Sequence, residues 1–144
     1  MNVKPSVGTL VFKGDSVLLV KHGFDSMHLQ ADYGLPSGKV KKGETERHAA
    51  ARELSEETGL VALKDDLIEF PGNYFSTRIP LNDGSNHLWG WRVFLCKKYS
   101  GELRATSETE PVWVKIDDLS KLSPKMPNVD KVVKAGRDYL NSIK

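Results

Sequence analysis

The chain has 144 residues, of which 39% are hydrophobic and 28% are charged. These values exclude a largely disordered chain and are typical of a single folded domain, which we assign to residues 1–144. The 21 basic and 19 acidic residues leave a net charge of only +2, so a protein that binds nucleic acid through strong positive charge is not expected.

Two features that the sequence lacks bear on where the protein is located in the cell. The sequence has no run of about 18 apolar residues that would span a membrane and no N-terminal targeting segment. Its single cysteine, Cys96, lies in an apolar run and is predicted to be an inert buried thiol. A cytoplasmic protein is therefore expected.

The first part of the chain predicts a β-hairpin followed by a loop. Apolar runs at Val7–Phe12 and Val17–Val20 flank the turn sequence Lys13–Ser16, which predicts two strands joined by a tight turn. The following segment, Lys21–Lys42, contains three glycines and a proline and is predicted to be mostly loop.

A helix is predicted over Glu46–Thr58. Thr45 precedes it as an N-cap residue, and Gly59 follows it where a left-handed C-terminal cap is expected. Four residues share the face expected to pack on a sheet: Ala50, Ala51, Leu54 and Thr58.

The rest of the chain predicts more strands and a second helix. Strands are predicted at Leu67–Phe70, Tyr74–Thr77, Leu88–Lys97 and Pro111–Ile116, and a helix at Asn128–Ile143. This order of elements predicts an α+β fold in which helices flank a mixed β-sheet.

The first helix contains an unusual cluster of carboxylates. Glu53, Glu56 and Glu57 are three and four residues apart and project over one arc of the helix. Like charges at this spacing destabilise a helix, and a divalent cation among them would remove the penalty. The alternative is a solvated acidic face in which Arg52 pairs with Glu56.

The surrounding residues decide between these interpretations. Gly38–Leu60 resembles the Nudix box, the signature of the Nudix hydrolases, and matches it at every defined position: Gly38, Glu44, Arg52, Glu53, Leu54, Glu56, Glu57, Gly59 and Leu60. The resemblance implies the Nudix fold, an α/β/α sandwich with a central mixed β-sheet, and favours the cation over the solvated face.

The resemblance also implies residue roles. The metal-binding groups are expected to be the carboxylates and a backbone carbonyl from four residues: Gly38, Glu53, Glu56 and Glu57. The ion is expected to be Mg²⁺ or Mn²⁺. Arg52 would orient the carboxylates through a salt bridge, and Glu44 would brace the junction between loop and helix.

The reaction implied is metal-dependent hydrolysis of a phosphoanhydride bond in a nucleoside diphosphate-linked substrate. A carboxylate must accept the proton of the attacking water. The loop before Trp113 offers Glu108 and Glu110, of which Glu108 is preferred because its distance from Trp113 better suits the MutT-like pattern. The alternative is a surface turn with two exposed acids.

The chain departs from the usual family pattern in two places. Pro36-Ser37-Gly38 replaces the common Pro-Gly-Gly, so the geometry of the metal loop depends on whether Ser37 needs a positive φ. Tyr33 stands where many relatives have tryptophan.

Signals for the substrate are weaker. Asn128 lies near the position at which MutT-like proteins place a purine-reading asparagine, but it is also a good N-cap, and the cap is favoured. Trp89 and Trp91 share one strand face, where packing is favoured over stacking on a base. Lys39 and Arg78 are candidate phosphate contacts or plain surface charges.

Three functions remain. The leading hypothesis is a MutT-like nucleoside triphosphate pyrophosphohydrolase that clears damaged nucleotides. The alternative acts on ADP-ribose or other nucleoside diphosphate sugars, dinucleoside polyphosphates or capped RNA. A catalytically silent nucleotide-sensing domain is disfavoured because every box carboxylate is present. The expected partner is a small nucleotide, and a homodimer is the assembly that the resemblance suggests.

Overall fold

The structure, a computed structural model, describes residues 4–22, 33–80, 83–106, 109–126 and 128–143. Nine strands and two α-helices occur in these ranges. The strands are β1 (Lys4–Leu10), β2 (Phe12–Lys13), β3 (Ser16–His22), β4 (Tyr33–Gly34), β5 (Ser37–Lys39), β6 (Leu67–Ile68), β7 (Tyr74–Pro80), β8 (Asn86–Cys96) and β9 (Thr109–Lys115). The helices are α1 (Glu46–Thr58) and α2 (Val129–Ser142), with short 3-10 helices at Lys64–Asp66 and Ile116–Lys121.

The strands form two sheets. The first has the order β5-β1-β8-β6, and β7 also pairs with β8. It is mixed, as predicted, because β1 and β8 run parallel while its other pairs are antiparallel. In the second sheet, β3 pairs with β2, β4 and β9, all antiparallel.

The two helices cover opposite faces of these strands. In β8, Phe94 packs in the cluster that contains Ala50 and Leu54 of α1, whereas Val93 and Leu95 pack in the cluster that contains Val133 of α2. Side chains alternate along a strand, so an apolar run of this kind is what burial on both faces requires. The predicted α/β/α arrangement is thus confirmed.

The helix α1 has the predicted bounds and caps. The Thr45 hydroxyl accepts a hydrogen bond from the His48 amide at 3.1 Å. Gly59 has a φ of 86°, and its amide donates to the Ser55 carbonyl at 3.0 Å. The predicted face needs one correction, because Ala49 is fully buried whereas Ala51 is only partly buried.

The predicted first hairpin is wrong in its first strand. Phe12 and Lys13 do pair with Val17 and Ser16, but the run Val7–Phe12 is divided. Residues up to Leu10 belong to the first sheet, and the Val11 carbonyl already accepts from the Leu18 amide of the second sheet at 2.9 Å. An apolar run does not show where the partner strand changes, because apolar side chains are suited to a strand of either sheet.

The segment Lys21–Lys42 was predicted as mostly loop, yet its described part contains the end of β3 and the strands β4 and β5. These strands have two and three residues and contain Gly34 and Gly38. Glycine has low strand propensity, so pairing with β3 and β1 decides their conformation. No helix within the described residues has the length and apolar composition to cross a membrane.

Candidate active site

Gly38 brings the loop before α1 directly against a carboxylate. Its strand β5 pairs with β1, and Gly38 lies opposite Val7. A Cβ atom at position 38 would collide with the carboxylate of Glu53. A side chain here would displace the Glu53 carboxylate, so glycine lets that carboxylate keep its place. The Glu53 side chain is 16% exposed, and burial raises the pKa of this carboxyl group although Arg52 partly opposes the effect.

Arg52 connects the carboxylates of the box. Its Nε and Nη2 donate to the two oxygens of Glu44 at 2.8 and 3.0 Å. Its Nη1 donates to Glu53 at 2.8 Å and to Glu56 at 3.3 Å. Nη2 also donates to the carbonyl of Lys39 at 3.0 Å. One guanidinium group therefore contacts three carboxylates and the end of β5.

Glu44 joins the loop to the helix. Its side chain is 9% exposed and accepts hydrogen bonds from Arg52 and from the Lys41 amide at 3.0 Å. These bonds, with that from Arg52 the stronger, lower the pKa of Glu44 from 4.5 to about 2. Glu44 is therefore an anion at neutral pH, as the bidentate pair with Arg52 requires.

Glu57 contacts a second part of the loop. Its Oε1 accepts from the Ser37 amide at 2.7 Å. Ser37 begins β5, and it is not one of the residues with positive φ. Serine at this position is thus compatible with the backbone of the loop, which settles the question that the missing glycine raised.

The donors present fit the ion that the family implies. Glu53, Glu56 and Glu57 offer carboxylate oxygens, which Mg²⁺ and Mn²⁺ prefer. Glu53 and Glu56 already share one cationic nitrogen, Nη1 of Arg52, so a positive charge is accommodated between them. In the part of the chain that the structure describes, no three acidic, histidine or cysteine side chains are already arranged around one ion position.

The structure separates the two predicted phosphate contacts. Lys39 is exposed on β5, and strand alternation directs its side chain to the face opposite that of Gly38. Arg78 is exposed on β7, and β1 and β8 lie between its strand and β5. Lys39 contacts the network around Arg52 through its carbonyl.

The second candidate base, Glu110, lies near the start of β9. Glu108 is outside the described residues. Glu110 is exposed and lies opposite Lys21 of β3. The residue before Glu110 is Thr109, whose hydroxyl donates to the carbonyl of Glu57 at 3.3 Å. This contact places the start of β9 beside the last turn of α1.

The predicted N-cap role of Asn128 is wrong for its side chain, which makes no capping hydrogen bond. The reason is its backbone: Asn128 has a φ of 69°, whereas a capping side chain normally requires an extended residue. Only its carbonyl contributes to the helix, by accepting from the Val132 amide at 3.0 Å.

Asn128 instead lines an open groove of about 610 Å³, together with Lys125, Met126 and Lys131. The segment that lines the groove is hydrogen-bonded to Tyr33 of β4. The Tyr33 amide donates to the Pro124 carbonyl at 3.0 Å, and its carbonyl accepts from the Met126 amide at 2.8 Å. Tyr33 is five residues before Gly38 in the sequence.

Trp91 is partly buried against the cluster on the α2 side, as predicted for a packing residue. The side chain of Trp89 is outside what the structure describes. Three further groups of the site were not predicted from the sequence: the amides of Ser37 and Lys41 and the hydroxyl of Thr109. Backbone amides leave no sequence signal, and Thr109 is separated from Glu57 by 52 residues.

Comparison with known proteins supports a family. A model of the NUDIX domain matches residues 3–135. The chain is 37% identical over 113 residues to the putative 8-oxo-dGTP diphosphatase 2 of Mycobacterium tuberculosis, covering 78% of this chain and 74% of the relative. It is 30% identical over 135 residues to the ADP-ribose pyrophosphatase of Methanocaldococcus jannaschii, covering 94% and 72%.

Some relatives are longer than this chain. The 8-oxo-(d)GTP phosphatase of Mycolicibacterium smegmatis is 33% identical over 87 residues, which cover 60% of this chain but only 24% of that protein.

The fold also has a solved counterpart. The crystal structure of the MutT NUDIX hydrolase from Burkholderia pseudomallei superposes with a TM-score of 0.74 at 22% identity, covering 94% of this chain and 98% of that one. With the box geometry and the match over residues 3–135, these findings show that the chain belongs to the NUDIX domain family, the Nudix hydrolases.

Proposed function

We propose that the protein is a metal-dependent, MutT-like nucleoside triphosphate pyrophosphohydrolase that releases a nucleoside monophosphate and pyrophosphate. The observation that carries this proposal is the box network. One arginine holds three glutamates, and the loop amide of Ser37 holds a fourth, Glu57. Such a dense set of carboxylates beside a glycine loop suits a site for a cation and phosphates.

The proposed metal site consists of the Gly38 carbonyl and the carboxylates of Glu53, Glu56 and Glu57. Bound Mg²⁺ or Mn²⁺ would supply neutralisation of phosphate charge and activation of a water molecule. Arg52 would keep the carboxylates oriented, since it is itself fixed by both oxygens of Glu44.

We retain Glu108 as the proposed general base, with Glu110 as the second candidate. Either carboxylate would accept the proton of the attacking water as the new oxygen–phosphorus bond forms and the phosphoanhydride bond breaks, which separates the nucleoside monophosphate from pyrophosphate. The bond from Thr109 to Glu57 supports this part of the chain as a neighbour of the carboxylate helix.

The base of the nucleotide is proposed to bind at Asn128. Its amide has both a donor and an acceptor for a base edge and is not used for capping. Lys39 stays a proposed phosphate contact because it borders the Arg52 network. Arg78 was proposed with it, but the position of β7 lends it no support. The M. tuberculosis relative, a putative 8-oxo-dGTP diphosphatase, favours an oxidised purine triphosphate as substrate.

A second candidate activity is hydrolysis of ADP-ribose or another nucleoside diphosphate sugar. The similarity to the ADP-ribose pyrophosphatase of M. jannaschii favours it, because that similarity extends over 94% of this chain. The same carboxylates would act on the bond between the two phosphates.

A substrate panel tests the proposal. Ordinary and 8-oxo purine triphosphates, ADP-ribose and dinucleoside polyphosphates are incubated with Mg²⁺ or with EDTA, and pyrophosphate and phosphate are measured. We expect pyrophosphate from triphosphates with Mg²⁺ only. Preference for ADP-ribose would replace the first candidate by the second.

Two variants calibrate this panel. Glu57→Gln keeps an acceptor for the Ser37 amide but removes the charge, and we expect turnover to fall by about 100-fold or more with the fold unchanged. Glu102→Gln changes an exposed glutamate outside the network and is the matched control. Full turnover in Glu57→Gln would remove Glu57 from the site.

A further inference from the structure

A short chain of hydrogen bonds leads from the start of β9 to the carboxylate helix. The Thr109 amide donates to the Thr106 hydroxyl at 3.0 Å, and the two hydroxyl groups are 2.8 Å apart. The Thr109 hydroxyl donates to the carbonyl of Glu57. Thr109 is only 8% exposed, whereas Thr106 is exposed, so the chain of bonds runs from the surface to a buried residue.

The direction of the bond between the two hydroxyl groups follows from the number of protons that each can donate. A threonine hydroxyl has one proton to donate. Because Thr109 gives its proton to Glu57, the bond between the hydroxyl groups must run from Thr106 to Thr109. Each hydroxyl then both accepts and donates, an arrangement in which the bonds strengthen one another.

Neighbouring contacts hold the same end of the helix. The Arg104 amide donates to the Thr58 carbonyl at 2.8 Å. A Cβ at Gly59 would lie 2.5 Å from the Glu102 carbonyl, so this segment passes close to the helix end. The last carbonyls of a helix lack partners within it. Here Thr109 and Arg104 provide partners for the carbonyls of Glu57 and Thr58.

Glu57 is therefore held from two sides. Its carboxylate accepts from Ser37 of the box loop, and its backbone carbonyl accepts from Thr109. A shift of the last helical turn would change the position of the carboxylate relative to Gly38 and Glu53. Groups that orient metal-binding carboxylates typically contribute about 10–100-fold to affinity or activity.

We propose that Thr109 is a positioning residue, which, with Thr106, holds the last turn of α1 so that the Glu57 carboxylate has its working position. The inference rests on the proposed function, in which Glu57 belongs to the metal site. It assigns a functional role to a side chain outside the Nudix box.

The chain offers a matched control in Thr9. Thr9 is also a buried threonine in a strand, at 0% exposure, but its hydroxyl has no hydrogen-bond partner among the described residues. Thr9→Val and Thr109→Val thus make the same chemical change. Only the second removes a bond to Glu57.

The experiment compares Thr109→Val, Thr109→Ser, Thr106→Ala and Thr9→Val in the full chain. Circular dichroism checks folding, and kcat and KM are measured on the best substrate of the panel. Mn²⁺ affinity is measured separately by electron paramagnetic resonance of free Mn²⁺. Thr106 is exposed, so its replacement tests the same chain of bonds even where Thr109→Val does not fold.

We expect Thr109→Val and Thr106→Ala to lower kcat and Mn²⁺ affinity by about 10-fold or more, with KM changed by less than about 2-fold. Thr109→Ser, which keeps the hydroxyl, should retain wild-type values, as should Thr9→Val. The proposal is overturned if the folded variants match Thr9→Val in both measurements, or if Thr109→Ser is as impaired as Thr109→Val. A wild type without hydrolytic activity would refute the proposed function alone, since the Mn²⁺ titration still decides the role of Thr109.

Discussion

At the scale of single residues, the carboxylate helix shows how an unfavourable sequence is accommodated. Glutamates three and four residues apart repel one another by about 0.2–0.5 kcal/mol per pair. Arg52 contacts Glu53 and Glu56, and Glu57 accepts from the Ser37 amide. The negative charges are thus compensated by two groups at fixed positions, and the Glu53 carboxylate keeps its place beside Gly38.

The lowered pKa of Glu44 should make the stability of the folded protein depend on pH in acid solution. Its pKa is lowered to about 2 in the folded protein from an ordinary 4.5, so the folded state binds this proton more weakly. The resulting stabilisation is complete above about pH 4.5 and is lost as the pH falls through about 2. Urea unfolding of wild type and Glu44→Gln between pH 6 and pH 2 measures it.

We expect the wild-type free energy of unfolding to fall more steeply over this window than that of Glu44→Gln. Glu102→Gln, at an exposed position, should follow the wild type. Parallel curves for wild type and Glu44→Gln would show that the Arg52 pair contributes nothing to stability.

Asn128 allows a separation of base recognition from helix stability. We expect Asn128→Gly, which tolerates a φ of 69°, to leave the melting temperature nearly unchanged, because no side-chain cap is lost. Loss of a base contact should lower kcat/KM for the preferred purine triphosphate by roughly 10-fold. Kinetics on purine and pyrimidine triphosphates measure this.

Asn128→Ala is the informative companion, since alanine is strained at positive φ and should lower the melting temperature as well. An unchanged preference among bases in Asn128→Gly would remove Asn128 from the base site.

At the scale of elements, α1 was predicted with both caps because its signals are local. Thr45 and Gly59 lie within one residue of the ends of the helix, and a cap acts through the nearest turn. The strands β1 and β2 were merged by the sequence analysis because their division at Val11 depends on strands far along the chain. The local sequence pattern predicts that a helix or strand is present, whereas the strands that pair with it determine where a strand ends.

The C-terminal cap of α1 gives a prediction at this scale. Gly59 and Gly72 have nearly the same φ, 86° and 80°, but only Gly59 has neighbours within 4 Å of an added Cβ. Gly72→Ala should cost only the backbone strain, about 1–2 kcal/mol. Gly59→Ala should cost more, because its Cβ would meet the Glu102 carbonyl.

Thermal or urea unfolding of the two alanine variants gives the comparison. Equal losses of stability would mean that the segment around Glu102 moves aside freely. It would then not hold the end of α1.

At the scale of the whole molecule, the sheets are covered on both faces, and the proposed site lies at one edge. Phe94 and Leu95 of β8 pack in opposite clusters, so the core continues through the sheet. The carboxylates lie where α1 meets β5, which pairs only with β1 among the described strands. An edge strand leaves room for loop amides to turn toward the helix.

Cys96 reports on the integrity of this core. It is 8% exposed, its thiol donates to the Lys98 carbonyl, and burial raises its pKa to about 11. The thiolate is the reactive form, so at pH 8 we expect modification by Ellman's reagent to be about 100-fold slower or more in native buffer than in urea. Similar rates in both solutions would contradict the buried position.

The sequence alone determined the mixed α+β class, the helix α1 with its caps, the Nudix box and hence the family, because these depend on periodicity, caps and spacing within a short stretch of chain. Only the tertiary structure decided that Gly38 contacts Glu53, that Asn128 does not cap α2, and that Thr109 reaches Glu57. Such contacts join residues that are distant along the chain, and a hydrogen bond depends on angles and distances that only the packed fold defines.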